Sequence, residues 1–181
     1  MFTAASQFNQ NLSAKQVGTG ASGYTAWDLG ASTMRSNTLG QMFQQATAFN
    51  NGGQPLSWPN LNMDTSDGSF ISMFGMFWHP GATSPGAIPG PGVFNQPIDF
   101  GNLAINFAMY VFDGCVNFNQ NLGGLNASDF GGGTTDMLKH TNMSVDNYSA
   151  TLVGWASQAP NIGQSVNFDG ETFQYNFTAA T

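Results

Sequence analysis

Apolar side chains recur along this chain in short bursts of one shape: an apolar pair, a small residue three positions on, and Phe-Asn three positions after that. The copies are Met1-Phe2 with Ala5, Phe8-Asn9-Gln10 and Leu12; Met42-Phe43 with Ala46, Phe49-Asn50-Asn51 and Leu56; Met76-Phe77 with Phe94-Asn95-Gln96 and Ile98; and Val111-Phe112 with Cys115, Phe118-Asn119-Gln120 and Leu122. A degenerate fifth copy starts at Met137-Leu138, with Thr141 at the small position. Such self-similarity marks repeat architectures, in which one unit cannot bury its apolar face alone and stacks on its neighbours. The shortest spacing of starts, 137 − 111 = 26 residues, is near the period of a leucine-rich repeat.

The pattern predicts a right-handed, leucine-rich-repeat-like solenoid over residues 1–146, with short strands and turns or single helical coils in each repeat. Phe8, Phe49, Phe94 and Phe118 are expected to form an interior aromatic spine, and Ala5, Ala46 and Cys115 a row of small residues where the backbone packs closely. Cys115 is therefore expected in the core and not as a nucleophile. Asn9, Asn50, Asn95 and Asn119 are expected at corners, their amides meeting backbone groups that the turns leave unpaired. The third copy is split by Pro80–Gly92, which holds four Pro and four Gly in thirteen residues and reads as a loop thrown out from the stack.

Residues 147–181 read as the closing segment of the same domain. Tyr148, Leu152, Trp155, Ala156 and Ala159 fall on one helical face, Asp146-Asn147 supplies an N-terminal signal, and Pro160 ends the run. A short strand Val166-Asn167-Phe168, the turn Asp169-Gly170 and an aromatic tail with Phe173, Tyr175 and Phe177 follow.

Composition narrows the chemistry. Only 7% of residues are charged, against about 25% in an average protein, so Asn, Gln, Ser, Thr and Gly must fill the surface. With Lys15, Arg35 and Lys139 as its sole cations and a net charge of −7, the chain lacks the clustered cations that bind nucleic acid or anionic membranes. No apolar run approaches the length of a membrane span. A single cysteine excludes an internal disulfide framework, and no Cys/His cluster has zinc spacing. The chain opens inside a motif copy, as expected of a trimmed or partial sequence.

These motifs resemble the BspA-like leucine-rich-repeat surface proteins, whose units read approximately Met-Phe-x-x-Ala-x-x-Phe-Asn-Gln-x-Leu followed by a Trp-Asp segment. Phe8-Asn9-Gln10-Asn11-Leu12 and Phe118-Asn119-Gln120-Asn121-Leu122 match closely, Trp27-Asp28 and Leu56-Ser57-Trp58 match the next segment, and Tyr148 to Trp155 is similar to the usual end of the array. The chain departs from the pattern in its long Gly/Pro/Ser insertions, in Phe100 where a Trp is expected, and in a fourth unit without the Trp-Asp step. The resemblance implies an extracellular, cell-surface or virion-surface protein, often linked with adhesion, with no catalytic residues to carry over.

Candidate sites are sparse. His79 and His140 have no Cys or acidic neighbour at ligand spacing and read as loop or surface residues. Asp64-Thr65-Ser66-Asp67-Gly68 lacks the alternating ligands and closing Glu of a calcium loop. Asp169 and Glu171 near Tyr175 could suggest a glycosidase pair, but the turn explains Asp169. Of five sequons, at Asn11, Asn126, Asn142, Asn147 and Asn176, those at Asn126 and Asn142 lie in polar stretches and are the glycosylation candidates. The expected protein is non-enzymatic, without metal or organic cofactor. It assembles through contacts with copies of itself or neighbouring structural proteins, or alternatively works as an adhesion or receptor-type module for a host protein or glycan.

Overall fold

A computed structural model describes residues 2–13, 39–58, 71–81, 90–128, 130 and 133–158. The spacing of the motif has a direct local cause. Within the first, second and fourth copies two successive turns close by hydrogen bonds three residues back: Ala46 N–H donates to Phe43 and Phe49 N–H to Ala46 (3.0 and 2.9 Å), just as Cys115 donates to Phe112 and Phe118 to Cys115 (2.9 Å each). The chain thus changes direction every three residues, and the apolar pair, the small residue and the second Phe all point to one interior.

That interior is a block of eight phenyl rings. Phe2, Phe43, Phe77 and Phe112 form one column, with successive centroids 5.7, 5.4 and 5.5 Å apart. Phe8, Phe49, Phe94 and Phe118 form the second, at 5.7, 5.8 and 6.2 Å. Within a copy the two rings lie closer, at 4.2, 3.9, 4.1 and 4.1 Å. Offset stacking of this kind adds to the free energy of burial. Phe8 and Ala5 in the first described copy are only partly buried, whereas Ala46, Phe49, Phe94, Cys115 and Phe118 are fully buried.

One backbone register runs through all five copies. Phe2, Phe43, Phe77 and Phe112 N–H groups donate to the carbonyls of Met42, Met76, Val111 and Met137 at 2.8, 2.8, 2.9 and 3.0 Å. Three positions from the motif start the same step recurs, from Gln45 to Trp78, His79 to Asp113 and Gly114 to Lys139.

Regular strand is scarcer than the expectation of a short strand in every repeat. Among the described residues one parallel pair forms, β1 (Leu56–Ser57) against β2 (Ile98–Asp99), with single bridges Ser72↔Phe107 and Phe107↔Gly133. The reason lies in two recurrent left-handed corners. Gln41, Gly75, Tyr110 and Asp136 share a φ of 55 to 57°, and Ala4, Gln45, Gly114 and His140 share positive φ at the next corner. Each corner interrupts the extended run, so the ladder passes mostly through turns.

β1 and β2 lead into a second aromatic row. Trp58 is buried, its indole N–H donates to the Leu12 carbonyl at 2.7 Å, and its ring stacks 5.3 Å from Phe100. Phe100, the departure from Trp in the motif, thus keeps the row with a smaller ring.

Helix α1 (Val145–Ala156) closes the stack at the fifth copy. Its N-cap is Ser144, which accepts from Asn147 N–H at 3.2 Å, not Asp146 or Asn147. The buried face also differs from the expected Tyr148/Leu152/Trp155/Ala156 stripe: Ser149, Thr151 and Trp155 are buried, while Leu152 is half-buried and Ala156 exposed. Ala159 and the segment to 181 lie outside the described residues. The orientation follows docking at positions 147, 151 and 154, which share one helical face, and at Gln158 just past the helix end. Asn147 donates to the carbonyl and side chain of Asn119, Thr151 accepts from Leu122 N–H, and Gln158 bridges Gly123, Leu125 and Ala127. Gly154 and Gly123 meet backbone to backbone; a Cβ on Gly154 would lie 2.5 Å from Gly123 Cα. Helix side chains therefore supply the donors and acceptors that another copy's backbone would supply.

Candidate binding face

The Phe-Asn asparagines are built into the frame. Asn9 accepts from Asn50 N–H, Asn50 from Asn95 N–H, Asn95 from Asn119 N–H and Asn119 from Ser144 N–H, each at 2.8 or 2.9 Å through the side-chain oxygen. A ladder whose oxygens are all engaged in this way offers little to a ligand. Asn51 extends the same logic: fully buried, it accepts from Leu12 N–H at 2.7 Å and donates to the Gln54 and Pro55 carbonyls.

His79 is interior, not a loop or surface residue. It is 3% exposed and packs on Gly92, where an added Cβ would lie 2.4 Å from its Nε2 and 3.1 Å from Cys115 Sγ. Gly92 ends the Pro80–Gly92 insertion, and its missing side chain makes the room the imidazole takes. Burial lowers the His79 pKa to about 4, a hydrogen bond with the Gly90 backbone opposing the shift, and Nδ1 has no partner among the described residues. Cys115 donates to the Phe77 carbonyl at 3.3 Å, and burial, reinforced by the charge of Asp113, raises its pKa. Both side chains are neutral near pH 7, so the thiol lacks the ionised form a nucleophile needs. Among the described residues no group of three or more His, Cys, Asp or Glu side chains could hold a metal.

The two glycosylation candidates part company. Asn142 is exposed, whereas Asn126 spends its amide on the Asn102 carbonyl at 2.9 Å and its oxygen on Ser128 N–H. Asp64–Gly68, Asp169, Glu171, Tyr175 and Trp27-Asp28 lie outside the described residues.

Besides Phe2 and Phe8 at the first copy, partly exposed aromatic side chains gather across the third and fourth copies. Trp78 and Tyr110 stack with centroids 5.1 Å apart and planes 17° from parallel. Phe74 meets both edge-on, at 6.1 and 5.9 Å, and lies 6.1 Å from Phe107. All four rings are only partly buried. Asp113 ties the face to its surroundings, accepting from Trp78 Nε1 at 3.1 Å and lying 2.8 Å from His140 Nδ1. His140 thus gains an acidic partner 27 residues away in sequence. Beside it Lys139 pairs with Asp136 at 3.6 Å.

Nothing in the Phe-Asn pattern marks this face. A signal exists at the position after Met-Phe, where copies carry Thr3, Gln44, Asp113 and Lys139 and the third alone carries an aromatic, Trp78. Set against proteins already known, the chain stands apart: no family model matches it, and no curated protein or solved structure matches it significantly.

Proposed function

We propose that the chain is a non-enzymatic, leucine-rich-repeat-like solenoid of the surface-protein type that its motifs resemble, and that it works as an adhesion module. It would act at a cell, virion or extracellular surface by presenting the Trp78–Tyr110 face to a partner. The observation that carries this reading is the placing of four partly exposed aromatic rings in contact with one another on one face, across the third and fourth copies. Exposed apolar clusters rimmed by polar groups mark interaction sites, and Trp and Tyr are the side chains that most often carry binding energy.

The test is flow cytometry of beads coated with the chain against a panel of intact bacterial and eukaryotic cells. Beads should adhere to at least one cell type, and Trp78→Ala should remove most of that adhesion while Val153→Ala on α1 leaves it intact. Equal adhesion by both variants would overturn the reading.

Homotypic assembly is the second reading, favoured by the low charge, which makes close approach of like surfaces inexpensive. Sedimentation velocity over a concentration series decides it: association that grows with concentration supports assembly, and a single monomeric species at every concentration rejects it.

A further inference from the structure

We infer that the Trp78–Tyr110 face binds a neutral oligosaccharide; this rests on the binding-face reading above and names its ligand class. A pyranose presents apolar C–H faces and a rim of hydroxyls, so it needs aromatic surface with fixed hydrogen-bonding groups at its edge. Trp78, Tyr110 and Phe74 supply the first. Asp113 supplies the second, since each carboxylate oxygen makes one contact among the described residues, to Trp78 Nε1 and to His140 Nδ1, and keeps a further lone pair for a hydroxyl. Tyr and Trp combine an apolar body with a polar tip, which suits an amphipathic ligand.

Charge selects against the alternatives. Asp113 lies against His140 and Asp136 pairs with Lys139, so the described residues of the face carry no excess of positive charge. Among the described residues Lys139 is its one permanent cation and is already paired, too little for a polyanion. The face is also held before any ligand arrives. Gly75 N–H donates to Met109, His79 N–H to Asp113 and Tyr110 N–H to Thr135, at 2.9, 2.9 and 3.2 Å, fixing the backbone beneath each ring. Little ordering entropy remains to be lost on binding.

The experiment titrates the full chain with chitohexaose, mannohexaose and cellohexaose, and with 3′-sialyllactose as an anionic control, by calorimetry. At least one neutral hexasaccharide should bind. Trp78→Ala and Tyr110→Gly should each weaken it by about tenfold or more, roughly the loss of one well-placed aromatic contact. Tyr110→Gly keeps the test clear of folding failure, because Tyr110 sits at φ 57° and Gly75 already fills the equivalent corner of the preceding copy at φ 56°. Binding unchanged in both variants overturns the proposal, as does preference for the sialylated control. Absence of binding to all three hexasaccharides at millimolar concentration overturns it too. In that last case the cell assay separates the two readings. Trp78-dependent adhesion that survives periodate oxidation of cell-surface glycans keeps the binding face and assigns it a protein partner, whereas adhesion indifferent to Trp78 removes both.

Discussion

Truncating Phe118 to Ala should be among the most damaging single changes in the chain, and the same change at Phe8 much milder. Phe118 is fully buried, with the Phe112 ring 4.1 Å and the Phe94 ring 6.2 Å away, and its carbonyl accepts from Asn142 N–H where the chain turns toward α1. Removing a phenyl ring from such a site costs about 3–5 kcal/mol, transfer and cavity terms together. Phe8 has Phe2 at 4.2 Å and Phe49 at 5.7 Å but is only partly buried, so a loss of about half that size or less follows from the smaller area withdrawn from water. Urea unfolding monitored by circular dichroism gives both values from the shift in midpoint, provided the slope is unchanged. A loss below about 1 kcal/mol at Phe118 would show that the ring block is not the core. A reduced slope would show that copies unfold separately, as one-dimensional arrays can.

Other consequences follow from single contacts. The unfolded chain takes up a proton at His79 near pH 6.5, but the folded chain does so only near pH 4; stability should therefore be full above pH 6.5 and fall between 6.5 and 4 by about 3 kcal/mol. In a pH series of urea midpoints, His79→Gln should flatten that fall. Gly154→Ala drives a Cβ into the Gly123 backbone, which cannot yield, and should cost about 1–3 kcal/mol and speed amide exchange throughout α1. Expressed through a eukaryotic secretory pathway, the chain should carry glycan at Asn142 and not at Asn126, whose amide is engaged; peptide mass spectrometry reads the occupancy.

The repeat was legible because each apolar motif position has one stacking partner per copy. A Phe recurring six residues after its predecessor, with a small residue midway, leaves few arrangements other than paired turns feeding a shared ring block. Asn at the following position was legible for a related reason, since its side-chain oxygen is what the next copy's backbone N–H needs. The capping helix was legible as a helix, but its facing was not. Counting apolar positions selects Leu152 and Ala156, whereas the docking is set by Asn147, Thr151, Gly154 and Gln158, whose partners are backbone groups of distant turns. His79 escaped for a similar reason. Its burial depends on Gly92, brought back to it by an insertion whose length gives no hint of its return point.

The aromatic face links two left-handed corners, and that link yields a last prediction. At this corner a side chain costs about 1 kcal/mol relative to glycine, a cost that Gln41, Tyr110 and Asp136 all bear. Gly75 escapes it, and a Cβ placed there would lie 3.3 Å from Trp78 Cβ and Cε3. The bare corner thus gives the indole its seat, while the occupied corner one copy later supplies the phenol that covers the indole at 5.1 Å. Trp78, the missing side chain at 75 and the ring at 110 form one device. Gly75→Ala should therefore act at a distance from any ligand, displacing the indole by a few tenths of an ångström, shifting tryptophan emission and weakening adhesion. It should lower stability by only about 1 kcal/mol, the cost of a side chain at a left-handed corner. Gly53→Ala is the control, for it too has positive φ, 76°, but its Cβ would meet nothing within 4 Å. Equal effects of the two substitutions on adhesion would mean that backbone strain alone was at work and that the seat beneath Trp78 has no part in binding.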